Sequence, residues 1–162
     1  MSRKLTIAAA LWLVGGFLAS GSSAMAAGVD DLVKKAEKAI IDGKYKDAVA
    51  ALDQAIATAP DRTELYGLRA KANDERGDMD KALEDANKMI QMAPNDSEGY
   101  LIRAGIYRRN EKFPEALADA NKAIELDPKS VDAYYMRSDI YHDMGKTAES
   151  KADEAKANQL DH

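Results

Sequence analysis

The residues of this 162-residue chain that could do chemistry are few. Histidine occurs only at His142 and His162, and cysteine is absent. His142 lies beside Asp143 and three residues after Asp139, so one helical turn would bring Asp139 and His142 onto one face. Two such groups make two ligands or an acid–base pair. A catalytic metal needs a third protein ligand, and a hydrolytic site needs a nucleophile beside its base. The sequence supplies neither near them, nor a glycine-rich phosphate loop. Without a thiol there is no thiolate metal site, no disulfide and no lipid-bearing cysteine. The expectation is no catalytic residue, no metal and no cofactor, which leaves recognition by non-covalent contact.

Charge narrows what could be recognised. Lys plus Arg number 23 against 28 Asp plus Glu, for a net charge of −5, and no basic tract could follow a phosphate backbone. Nucleic acid is excluded as the expected partner. With 46% hydrophobic and 31% charged residues, the chain is too apolar to be disordered and too charged to lie within a membrane.

The start of the chain reads as an address. Ser2, Arg3 and Lys4 precede an uncharged run from Leu5 to Leu18, and small residues follow at Ser20-Gly21-Ser22-Ser23 and Ala24-Met25-Ala26-Ala27. Basic, apolar and small segments in that order make a secretory signal peptide. Ala24 and Ala26 suit the −3 and −1 pockets of a signal peptidase, which places cleavage after Ala26 and the mature chain in the periplasm or outside the cell. The apolar run of about 14 residues falls short of the roughly 20 that a bilayer span needs.

The elements that must carry any binding residues announce themselves by repetition. Pro60, Pro94 and Pro128 are spaced by 34 residues. Before them stand the matching runs Ala48–Ile56, Ala82–Ile90 and Ala116–Ile124; after them stand Tyr66, Tyr100 and Tyr134, then Arg69, Arg103 and Arg137. Apolar residues recur at three and four, as amphipathic helices require. Gly43, Gly77 and Gly145 divide each unit into two helices, because glycine takes the left-handed conformation that ends a helix. Asn110-Glu111 replaces that glycine in the third unit, and asparagine is the expected substitute. Thr63, Asp96 or Ser97, and Ser130 are expected helix caps.

These residues resemble the tetratricopeptide repeat family over about residues 29–162. Large residues stand in register at Leu32, Tyr66, Tyr100 and Tyr134, and small ones at Ala36, Ala70, Ala104 and Ser138 and at Ala48, Ala82, Ala116 and Ser150. The resemblance implies an all-α fold, a right-handed α-solenoid of about four stacked helix-turn-helix repeats. The expected bounds are 1–26 for the signal peptide, then 27–62, 63–96, 97–130 and 131–162 for the repeats, the last polar and capping. Its second helix carries Lys151 and Asn158 where earlier units have apolar residues. Stacking lets hairpins that could not bury a face alone share one core. The tyrosine series is read as packing.

The resemblance further implies that the first helix of each hairpin lines a concave surface holding a protein or peptide. On that register the expected binding residues are Val33, Glu37, Leu68, Lys71, Leu101, Ile102, Arg108, Arg109, Tyr135, Met136 and Asp139, an apolar strip between acidic edges. The family's carboxylate-gripping clamp is absent, its positions held by Val33, Glu37, Leu68, Glu98 and Ile102. Arg108 and Arg109 could meet a carboxylate, although pairing with Asp139 or Asp143 is the plainer expectation. The function expected is a non-enzymatic adaptor of the bacterial cell envelope. The rival is a self-associating module whose apolar strip forms a homodimer interface.

Overall fold

A computed structural model describes residues 12–161. The basic start at Arg3 and Lys4, and His162, lie outside the described residues. Among the described residues, eight helices follow one another without a strand: α1 (Trp12–Ile41), α2 (Tyr45–Thr58), α3 (Thr63–Glu75), α4 (Met79–Met92), α5 (Ser97–Arg109), α6 (Phe113–Leu126), α7 (Val131–Asp143) and α8 (Thr147–Leu160). They pair as hairpins α1–α2, α3–α4, α5–α6 and α7–α8, and each second helix packs on the first helix of the next hairpin. Helix α1 is continuous through the expected cleavage point after Ala26.

Small residues set the spacing. Ala36, Ala70 and Ala104 are fully buried, as are Ala48, Ala82 and Ala116 on the partner helices. Only an alanine-sized side chain lets two helix axes approach so closely. In the fourth hairpin both positions are serine. Burial would strand their hydroxyls, but the Ser138 Oγ lies 3.0 Å from both the Ser150 carbonyl and the Ser150 Oγ. Leu52, Leu65, Met89, Ile106 and Ile140 fill the spaces between.

The turns inside the hairpins share one chemistry. Gly43, Gly77 and Gly145 have φ of 69°, 77° and 74°, and the amide of the following residue donates back to the carbonyl five residues earlier, as from Lys44 to Ala39 at 2.7 Å. In the third hairpin the residue with positive φ is Glu111, at 58°, and not Asn110. Asn110 instead turns its side-chain amide onto the Ile106 carbonyl at 2.8 Å. The turn is fixed by the 34-residue register, so the residue at that register adopts φ > 0 whatever its type. Of the expected caps, Asp96 accepts from the Glu98 amide and Ser130 from the Ala133 amide. Thr63 does not cap: it is the first helical residue, behind Arg62.

The layers follow from which helices touch. Successive first helices contact one another, α1 with α3, α3 with α5 and α5 with α7, whereas successive second helices do not. The first helices therefore form the crowded inner layer, and the second helices splay on the outer side.

Candidate functional site

Two positions on the inner layer shape its central groove. Gly67 leaves a hollow on α3, where an added Cβ would stand 3.0 Å from the Ile102 Cδ1, and Ile102 of α5 fills it. Gly105, one turn further along α5, has no such tenant: a Cβ there would meet only the Met136 Cε at 3.5 Å. The result is a groove of about 490 Å³ between α3, α5 and α7. Leu101, Ile102, Gly105, Ile106 and Met136 make its apolar floor, Lys71, Asp74, Glu75 and Arg109 stand at one end, and Glu98 and Asp132 project from the first turns of α5 and α7.

The expected binding residues divide. Lys71, Leu101, Ile102, Arg109 and Met136 come together in this groove. Ile102 requires a correction: expected as an exposed contact, it is 8% exposed, because the hollow at Gly67 draws it between hairpins. Val33 and Leu68 are half-buried against the core of the first two hairpins, and Glu37 is exposed on α1. Tyr135 is 39% exposed and donates its hydroxyl to the Asn158 Oδ1 at 2.8 Å, on the α8 side of the last hairpin.

Arg108 and Arg109 are held inside the array. Arg108 donates to Asp139 at 2.7 Å and to Asp143 at 2.6 Å, joining α5 to α7. Hydrogen bonding by that guanidinium is the main cause holding the Asp143 carboxyl below its ordinary value. Arg109 reaches the other way, to Asp74 at 3.0 Å and to Glu75, joining α5 to α3. Burial raises the Asp74 carboxyl and the Arg109 charge opposes it. With Asp139 turned to α5, His142 meets its neighbour Asp143 at 3.6 Å instead. Among the described residues, no three His, Cys, Asp or Glu side chains gather as a metal cage, and no helix is long and apolar enough to cross a membrane.

A second constellation, joining the inner helices to the outer ones, escaped the reading of the sequence. Arg69, Arg103 and Arg137 each lay a bidentate fork on an aspartate of their own hairpin's second helix, Asp85, Asp119 and Asp153, at 2.7–2.9 Å. The remaining amino group reaches back to the preceding hairpin, at Asp53, Asn87 or Asn121. Each guanidinium also lies 5.7–5.9 Å from the ring centre of Tyr66, Tyr100 or Tyr134. These arginines rivet neighbouring hairpins and explain the tyrosines as packing. The signal was available: the three aspartates repeat at the same 34-residue interval as the arginines.

Tetratricopeptide repeat family models match residues 34–97 and 131–161, and a TPR repeat model matches residues 104–145. No curated protein sequence matches the chain. Among solved structures, a thermophilic TPR protein of Thermus thermophilus is similar at a TM-score of 0.73 and 18% identity, over 82% of this chain and 74% of that one. MamA (41-end) from Desulfovibrio magneticus RS-1 gives 0.67 and 16%, over 82% and 75%. The first TPR of Spaghetti (RPAP3), bound to the HSP90 peptide SRMEEVD, gives 0.63 and 22%, over 72% and 93%. At these identities the likeness is one of fold.

Proposed function

Since the chain is a protein of tetratricopeptide repeats, we propose that it acts without catalysis, holding a segment of another protein in the groove between α3, α5 and α7. The observation that carries this is the floor of that groove: Leu101, Gly105 and Met136 stay partly open to solvent on the inner layer, side by side across two helices. An apolar floor walled by charged side chains is the anatomy of a protein-binding surface. The RPAP3 repeats carrying a bound peptide lend support from the same fold. The leader motif supports action in the bacterial envelope, with a mature chain beginning at Ala27.

The test compares the mature chain with a Leu101→Asp/Met136→Asp variant as bait in periplasmic extract, with circular dichroism as the check on folding. Both positions are half-buried, so helicity should survive while capture is lost. Capture that persists in the variant, or light scattering that finds a stable dimer burying Leu101, overturns the reading. N-terminal sequencing of the exported protein tests the address, and a chain retaining Arg3 and Lys4 contradicts it.

A further inference from the structure

We infer that the segment held in this groove carries a cationic side chain, arginine above all, seated between Glu98 and Asp132 next to an apolar anchor lying over Gly105. This rests on the groove being a binding site and adds what it binds. The array itself holds the template for such a seat. Asp30, Glu64, Glu98 and Asp132 repeat at the 34-residue interval along one lip of the inner layer. The first two are bridged by Arg62, which donates to Asp30 at 2.7 Å and to Glu64 at 2.6 Å. At the equivalent positions the later repeats carry Asp96 and Ser130, neither of which can donate a guanidinium. Glu98 and Asp132 are both exposed, both line the groove and, among the described residues, form no ion pair.

The charge of the whole lining agrees. Four carboxylates and two cations face the groove, and one of those cations, Arg109, is taken by Asp74 and Glu75. Lys71 on α3 is the remaining positive group. A guest with a cation at the α5–α7 lip meets acceptors from two helices at once, which suits a planar fork better than an ammonium. An acidic guest would meet uncompensated carboxylates there.

Gly105 supplies the second, independent argument. Glycine inside a helix is less stable than alanine, and on the floor of a groove it also removes the side chain that would otherwise fill it. Gly67 and Gly99 are needed by packing, since a Cβ at either would come within 3.0 Å of Ile102 or Ile90. Gly105 has only an ordinary 3.5 Å neighbour, so the protein's own packing does not ask for it. At its register the adjoining repeats carry Lys71 and Asp139. The missing side chain opens the floor where an anchor must pass.

The test is selection of random short peptides displayed on phage against the full chain at physiological salt, followed by fluorescence anisotropy with the most enriched peptide. Enriched peptides should carry arginine or lysine close to Leu, Ile, Met or Phe. Replacing that cation by glutamine should weaken binding roughly tenfold, and E98Q/D132N should cause the same loss with little more when the two changes are combined. Gly105→Leu should abolish binding with helicity intact. Should that variant unfold, the exposed E98Q/D132N pair carries the test alone. Enrichment of acidic or uncharged peptides overturns the cationic seat and leaves the groove standing. No enrichment, or peptides indifferent both to Gly105→Leu and to E98Q/D132N, overturns both.

Discussion

Replacing Arg103 by methionine should weaken the stack far more than its distance from the groove suggests. Arg103 is the middle rivet, forked on Asp119 at 2.7 Å through two nitrogens and bonded to Asn87 of the preceding hairpin at 2.6 Å. The Asp119 side chain is only 8% exposed, and that of Arg103 is 23% exposed. Methionine would fill much of the volume but leave a buried carboxylate without its counterion. Breaking a fully buried pair costs about 3–5 kcal/mol. Water reaching the part-exposed arginine side reduces this to about 2–3 kcal/mol. With a urea slope of about 2 kcal/mol/M, the unfolding midpoint should fall by roughly 1–1.5 M. Arg62 also joins two repeats, but its partners are about half-exposed. Arg62→Met should therefore cost less than about 1 kcal/mol. If the loss in Arg103→Met is the orphaned charge, Asp119→Asn in the same chain should restore most of it. A midpoint for Arg103→Met no lower than that of Arg62→Met, or a double variant no better than the single, would refute the reasoning.

Glu111→Gly should stabilise the protein by about 0.5–1 kcal/mol in urea unfolding, since a residue with a Cβ holds φ of 58° there where the other three turns use glycine. Gly105→Ala should raise stability by up to about 1 kcal/mol, whereas Gly99→Ala should lower it by about 1–3 kcal/mol, because its Cβ would meet the Ile90 side chain at 3.0 Å and backbone at 3.3 Å. Acid should loosen the last hairpin through Asp143. Its folded pKa is depressed by Arg108, so its contribution is present above the ordinary carboxylate value and is lost as pH falls through the depressed one. Urea midpoints measured below about pH 4 should fall with acidification, and Arg108→Met should flatten that limb.

The fold was open to reading because a solenoid repeats its constraints. Alanine at 36, 70 and 104 and proline at 60, 94 and 128 are demanded once per hairpin, so spacing alone exposes them. Register foretold the pairing of Arg108 with Asp139 and Asp143, but the same expectation fails for Arg109, which turns the other way to Asp74 and Glu75 of α3. It failed where a residue's fate depends on its neighbour's size. Ile102 occupies the same register as Leu68 and Met136, yet only it is drawn fully inward, because Gly67 stands opposite. Glu111 shows the converse, a backbone position set by the repeat against the residue's own preference. The rivets are not visible along a single helix face, because each arginine's acceptors lie sixteen residues away on either side, on two other helices.

The measurement closest to the central claim is amide chemical-shift mapping of the isotope-labelled chain titrated with a selected peptide. The largest changes should fall on Lys71, Glu98, Leu101, Gly105, Asp132 and Met136, across three inner helices at once. Changes confined to the outer helices α4, α6 and α8, around Asp85, Asp119 and Asp153, would place the guest on the wrong side of the stack and contradict the account.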